Sequence, residues 1–181
     1  HNAFNAGTSV QRLIWFGLKG DASSDTFLNK PYPDMTEEAW QLAEVLSGIS
    51  MVQTATAEAF VPQMLNYESV DGVSFKKGCY PGQEVVARSQ FRGTLKRRAF
   101  IVSCTAPMLV GQEIFSSEDA EQACGMVSSA SKFEPTEGQA AEWWGIASLQ
   151  LSATERALQL GHAGGPSLML KSLPYPLLED L

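Results

Sequence analysis

Residues 75–98 read FKKGCYPGQEVVARSQFRGTLKRR, and the character of the chain changes across them. Before this stretch apolar residues recur at helical spacing; after it come short β-prone runs, so it marks the seam of an α+β chain. Pro81 suits a first helical turn, where its missing N–H would have no partner, and the spacing predicts a helix over 81–91. Cys79 and Tyr80 then fall at a helix N-terminus, whose free N–H groups and dipole favour negative charge. Lys76 and Lys77 lie just upstream. A thiol in that setting is expected to ionise more readily than a free cysteine. Within the helix, Glu84 and Arg88 stand four apart and are expected to pair. Arg92 shares their face, Val85 and Val86 point towards the core, Phe91 reads as core, and Gly93 ends the helix.

Upstream, residues 11–17 (QRLIWFG) read as a buried strand, and the polar, Pro-containing segment 21–34 as a surface loop. Thr36 is placed to cap a helix with Glu37 and Glu38 in its first turn. Ala39, Leu42, Ala43 and Leu46 follow at helical spacing, and Gly48 ends it. Residues 49–53 read as a short strand and 57–66 as a turn around Pro62. Downstream, residues 98–104, 113–116, 124–129, 143–151 and 167–173 are short β-prone runs between Gly, Pro and Ser clusters. That spacing suggests a small antiparallel barrel or sandwich. Segment 154–161 reads equally as helix or strand. Trp143 and Trp144 are adjacent, so on a strand they face opposite sides. Cys104 and Cys124 sit in apolar runs and read as core.

The chain carries 13 cations and 20 acids, a net charge of −7. Seven of those cations fall within residues 75–98 against the single acid Glu84, which leaves six cations and 19 acids elsewhere. One basic stretch in an acidic chain points to an anionic ligand or partner there. General nucleic-acid affinity is not expected, and Phe91 alone offers a ring among the arginines. Three cysteines without paired spacing argue for a reducing cytoplasm rather than a disulfide framework. The two histidines, His1 and His162, and the scattered cysteines give no metal-ligand spacing. No GxSxG accompanies a hydrolase triad. No stretch is apolar enough to span a membrane, and the start, HNAFNAGTSV, has no signal-peptide pattern.

KGCYPGQE (residues 77–84), with FVPQMLN (60–66), GVSF (72–75) and the following VAR, FRG and KRR, resembles the signature of the YgfZ family. These are folate-binding proteins related to the T-protein (aminomethyltransferase) of the glycine cleavage system. The resemblance implies that the chain is the C-terminal part of a longer protein. Residues 1–94 would belong to a T-protein-like folate-binding α+β domain and residues 95–181 to a C-terminal β-barrel. It implies a tetrahydrofolate-binding protein that supports iron–sulfur enzyme maintenance and tRNA modification, with iron–sulfur or tRNA-modifying enzymes as partners. On that footing Cys79 is the candidate reactive group, and Lys76, Lys77, Tyr80, Arg88 and Arg92 are candidate folate contacts. Glu84 orients Arg88. Gln63 and Asn66 either face the ligand or satisfy loop backbone, as amide side chains often do, and Tyr80 either meets the ligand or packs. Two other readings stand beside this one: a true aminomethyltransferase, and a non-enzymatic RNA-binding or scaffold module.

Overall fold

The computed structural model describes residues 35–91, 95–134 and 140–178. The expected strand at 11–17 and loop at 21–34 lie outside them, as do Arg92 and Gly93.

Six antiparallel strands close a barrel: β1 (Arg97–Cys104), β2 (Glu113–Ser116), β3 (Asp119–Phe133), β4 (Glu142–Gln150), β5 (Leu158–Leu160) and β6 (Ser167–Lys171). Their order around the barrel is β1-β4-β3-β2-β5-β6, and β6 returns to β1 through Ile101–Lys171, Val102–Leu170 and Ser103–Met169. Closure leaves no open sheet edge. The ambiguous segment 154–161 ends as strand β5. Strand β3 lies between β4 and β2, with Gly125 and Met126 pairing on both edges, and a bulge between Val127 and Ser129 shifts its register on β4. The bulged Ser128 is held by its hydroxyl, which donates to Ile146 O at 3.0 Å.

Alternation along the strands makes two apolar layers. Val102, Cys104, Val127, Ala147, Leu149 and Leu160 fill the interior with the buried Met108. Gly145 is what admits Met108: a Cβ there would meet its sulfur at 2.4 Å. The outward residues Ala99, Ile101 and Ile146 pack under Val45 of helix α1 (Glu37–Leu46). Thr36 caps α1 as expected, its hydroxyl accepting from the Ala39 N–H at 3.2 Å. Trp143 packs on the interior layer and Trp144 on the outer one, the two sides that strand geometry demands.

Residues 49–53 form no strand. Ile49, Met51 and Val52 are exposed, whereas Ser50 is buried with its hydroxyl 3.0 Å from that of Ser129. The chain here is pinned to β3 by a side chain rather than by a backbone ladder.

Two short 3-10 turns, Pro62–Leu65 and Tyr67–Val70, then lie against β1. Between them Asn66 adopts a left-handed backbone (φ 59°). Its buried carboxamide donates to Ala99 O at 2.8 Å and accepts from Ala99 N at 3.1 Å. Ala99 lies beyond the end of the β1–β6 ladder, so one side chain completes the strand edge where β6 stops. Beside it Arg98 is buried in an ion pair with Glu68, and its other arm donates to Leu178 O at 2.7 Å. The C-terminal segment crosses back here, with Tyr175 donating to Gly48 O at 2.7 Å. Among the described residues no helix is long and apolar enough to cross a membrane.

Candidate functional site

Helix α2 spans Gln83–Phe91, two residues later than the sequence spacing predicts. Gly82 is the reason: it has φ +84°, a left-handed conformation that an α-helix excludes. Tyr80-Pro81-Gly82-Gln83 is therefore a turn, closed by the Gln83 N–H donating to Tyr80 O at 3.2 Å. Proline at the second place and a positive-φ glycine at the third is the residue pattern such turns require. The Gln83 side chain returns the contact, accepting from the Tyr80 N–H at 3.3 Å. Cys79 and Tyr80 thus precede the helix on a loop instead of sitting in its first turn, and Cys79 is exposed.

The loop and the helix enclose a cleft of about 280 Å³. Ser74, Phe75, Lys77, Cys79 and Tyr80 line it from the loop, and Gln83, Val86, Ala87 and Phe91 from the helix. Gln83, Ala87 and Phe91 are four apart and form one stripe of α2. The Lys77 ammonium lies 4.6 Å from the centre of the Tyr80 ring. Phe75 and Phe91 meet edge to face at 5.3 Å between ring centres. The cleft therefore combines a thiol, an ammonium and three aromatic rings, all partly open to water.

Of the residues singled out from the sequence, Lys77, Cys79 and Tyr80 come together in the cleft, and Lys76 is exposed beside them. Glu84 and Arg88 occupy the neighbouring face of α2, exposed, and form no ion pair with each other among the described residues. Gln63 is fully buried behind the cleft, donating through Nε2 to Val86 O at 2.7 Å. Its Oε1 has no partner among the described residues. Asn66 is occupied by Ala99, as above. Arg92 lies outside the described residues.

Two expectations about α2 need correcting. Val85 is 49% exposed and Phe91 58% exposed, so neither is core. The helix packs on the Pro62–Leu65 turn, and Glu84, Val85, Arg88 and Phe91 remain exposed. The basic stretch also divides. Arg98 is buried on Glu68, and Arg97 donates to Cys124 O at 3.2 Å. Both serve the barrel; of the other described cations in the stretch, Lys77 lines the cleft and Lys76, Arg88 and Lys96 are exposed.

The sequence reading passed over Phe75, Ser74, Gln83 and Ala87. The helical stripe was legible in the spacing of Gln83, Ala87 and Phe91, but nothing in the sequence indicates that its rings would stay exposed. Cys104 and Cys124 are buried as expected, and burial pushes both thiols above the ordinary range.

No family model matches the chain. Curated relatives do. Over 64 residues the chain is 52% identical to the tRNA-modifying protein YgfZ of Photobacterium profundum, covering 35% of this chain and 20% of that protein. Over 112 residues it is 35% identical to the tRNA-modifying protein YgfZ of Vibrio atlanticus, covering 60% and 35%. A 150-residue match to the tRNA-modifying protein YgfZ of Serratia proteamaculans is 29% identical and covers 79% of this chain and 43% of the relative. The chain thus spans less than half the length of these relatives. Over the part that they cover, the chain is similar to these YgfZ proteins.

Proposed function

We propose that this chain is the C-terminal part of a tetrahydrofolate-binding protein that supports tRNA modification and the maintenance of iron–sulfur enzymes. In this reading residues 1–94 belong to the folate-binding, T-protein-like domain and residues 95–181 to the barrel. The name of the relatives, tRNA-modifying protein, supports the process. One observation of geometry supports the ligand: the cleft that gathers Lys77, Cys79 and Tyr80 with Phe75 and Phe91. Flat aromatic walls suit a pteridine ring, and the ammonium groups of Lys76 and Lys77 suit its glutamate carboxylates. At about 280 Å³ the cleft is at the small end of ligand sites, of order 300–1,000 Å³. It has room for one ring system, with the rest of the cofactor lying outside. In this reading Cys79, an exposed thiol on the cleft wall, is the reactive group. Free thiols at Cys79, Cys104 and Cys124 fit a cytoplasmic protein.

The test is calorimetric titration of tetrahydrofolate into the full-length protein and into its Lys77→Gln and Tyr80→Ala variants. Saturable binding weakened about tenfold or more by each change is the expected result. Absence of binding, or binding indifferent to both changes, overturns the reading. Cys79→Ser is assayed separately, by its ability to restore tRNA modification in cells lacking the protein; full restoration removes Cys79 from any chemical role.

A further inference from the structure

The aromatic rings around the cleft are unusually open for their type. Phe91 is 58% exposed, Phe75 42% and Tyr80 36%. In sequence they lie far enough apart that only Phe91 stands among the arginines; the fold of the loop onto α2 brings Phe75 and Tyr80 to the same place. Of the exposed cations, Lys77 lies in the cleft against Tyr80, Lys76 is its chain neighbour, and Arg88 stands on the adjoining face of α2, where Glu84 is the one acid. Elsewhere the chain is strongly acidic, so a polyanion would be held at this spot and repelled from the rest. Exposed rings that stack, set among cations that track a phosphate chain, are the means by which proteins hold single-stranded nucleic acid. A duplex would keep its base faces buried and present only phosphate to these rings.

We propose that the cleft receives an unpaired nucleotide of a single-stranded nucleic acid, its base against Phe75, Tyr80 and Phe91 and its flanking phosphates on Lys76, Lys77 and Arg88. The inference goes beyond the folate reading and does not rest on it. Base recognition here is by ring stacking, so affinity is local and modest, and it depends on few charges. Three phosphate contacts on a single strand give a slope of about −2 for log affinity against log salt.

The experiment is fluorescence anisotropy of end-labelled eight-nucleotide strands, ribo and deoxyribo in separate arms, titrated with the chain from 50 to 200 mM salt. Either arm supports the inference if the strand binds with a slope near −2 and a duplex of the same length binds at least about tenfold more weakly. Phe91→Ala and Phe75→Ala are expected to weaken binding about fivefold to a hundredfold each, in line with about 1–3 kcal/mol per stacked base. Phe91→Tyr keeps the ring and keeps the affinity. Lys76→Gln and Lys77→Gln each flatten the slope by about 0.7. These side chains are exposed, and unchanged urea midpoints confirm that the variants fold. Equal binding of strand and duplex, equal binding of poly-glutamate, or indifference to both phenylalanine changes overturns it. Tetrahydrofolate binding without strand binding sinks this inference alone, and strand binding without folate binding sinks only the folate reading.

Discussion

Replacing Asn66 with alanine tests whether this side chain is structural rather than ligand-facing. The change removes both bonds that Ala99 makes with the carboxamide, at 2.8 and 3.1 Å. It leaves a strand N–H and C=O buried without partners, each costing about 1–3 kcal/mol. It also puts a Cβ residue with no local hydrogen bond at φ 59°, a further cost of about 1–2 kcal/mol. The sum is about 3–8 kcal/mol, a large part of a domain's usual stability of about 5–15 kcal/mol. Asn66→Gly separates the two causes: glycine accepts the left-handed backbone but leaves Ala99 unsatisfied, so it should be milder by about 1 kcal/mol. Asn66→Asp still accepts from the Ala99 N–H but sets a carboxylate against the Ala99 carbonyl, and should be at least as damaging as alanine. Urea unfolding followed by tryptophan fluorescence reads all three. An alanine variant within about 1 kcal/mol of the parent refutes the hydrogen-bond argument. A glycine variant no better than alanine refutes the conformational one.

The remaining predictions concern the helix turn, the thiols and alkaline pH. Gly82→Ala meets nothing within 4 Å, so its cost comes from φ alone; about 1 kcal/mol, read as lost hydrogen-exchange protection in α2, is expected. In the native chain a thiol reagent at pH 8 should modify Cys79 quickly and Cys104 and Cys124 only after denaturant is added, since burial shields the last two and keeps them protonated; mass spectrometry of the labelled peptides checks this. Burial also raises Tyr67 and Tyr175, whose hydroxyls donate to Ser50 O and Gly48 O. All four groups hold their protons more tightly folded than unfolded. Their contribution is therefore complete below the unfolded thiol and phenol ranges, about pH 8.5 and 10, and is lost as pH rises through the raised folded values. Urea midpoints between pH 7 and 11 should stay level and then fall, and Tyr67→Phe with Tyr175→Phe should lessen the fall.

Much of the barrel was legible because strand residues alternate inward and outward with a period of two, and β2 falls where residues 113–116 predict it. The α1 cap and its buried stripe follow as directly from local spacing, since a helix face is set by 3.6 residues per turn. The KGCYPGQE signature was equally readable, and with it the similarity to YgfZ proteins. Local sequence also carried the Pro81-Gly82 turn, although the same proline suits a helix start, and only the backbone at Gly82 chose between them.

Partners distant in the chain were beyond that reading. Arg98 reads like its basic neighbours, yet it is buried because Glu68, 30 residues earlier, lies on the same side of β1. Asn66 and Gln63 look like polar loop residues fit for a ligand, and it is the ends of β6 and the position of α2 that give them backbone groups to hold. Phe91 looks like core by type, yet it stays largely in water beside Phe75 at the cleft. The sequence by itself determined most of the strands, helix α1 and where the charge and sulfur lie, since these depend on near neighbours. Which polar groups are consumed by the scaffold, and which remain around the cleft, was decided only when tertiary structure brought remote segments into contact.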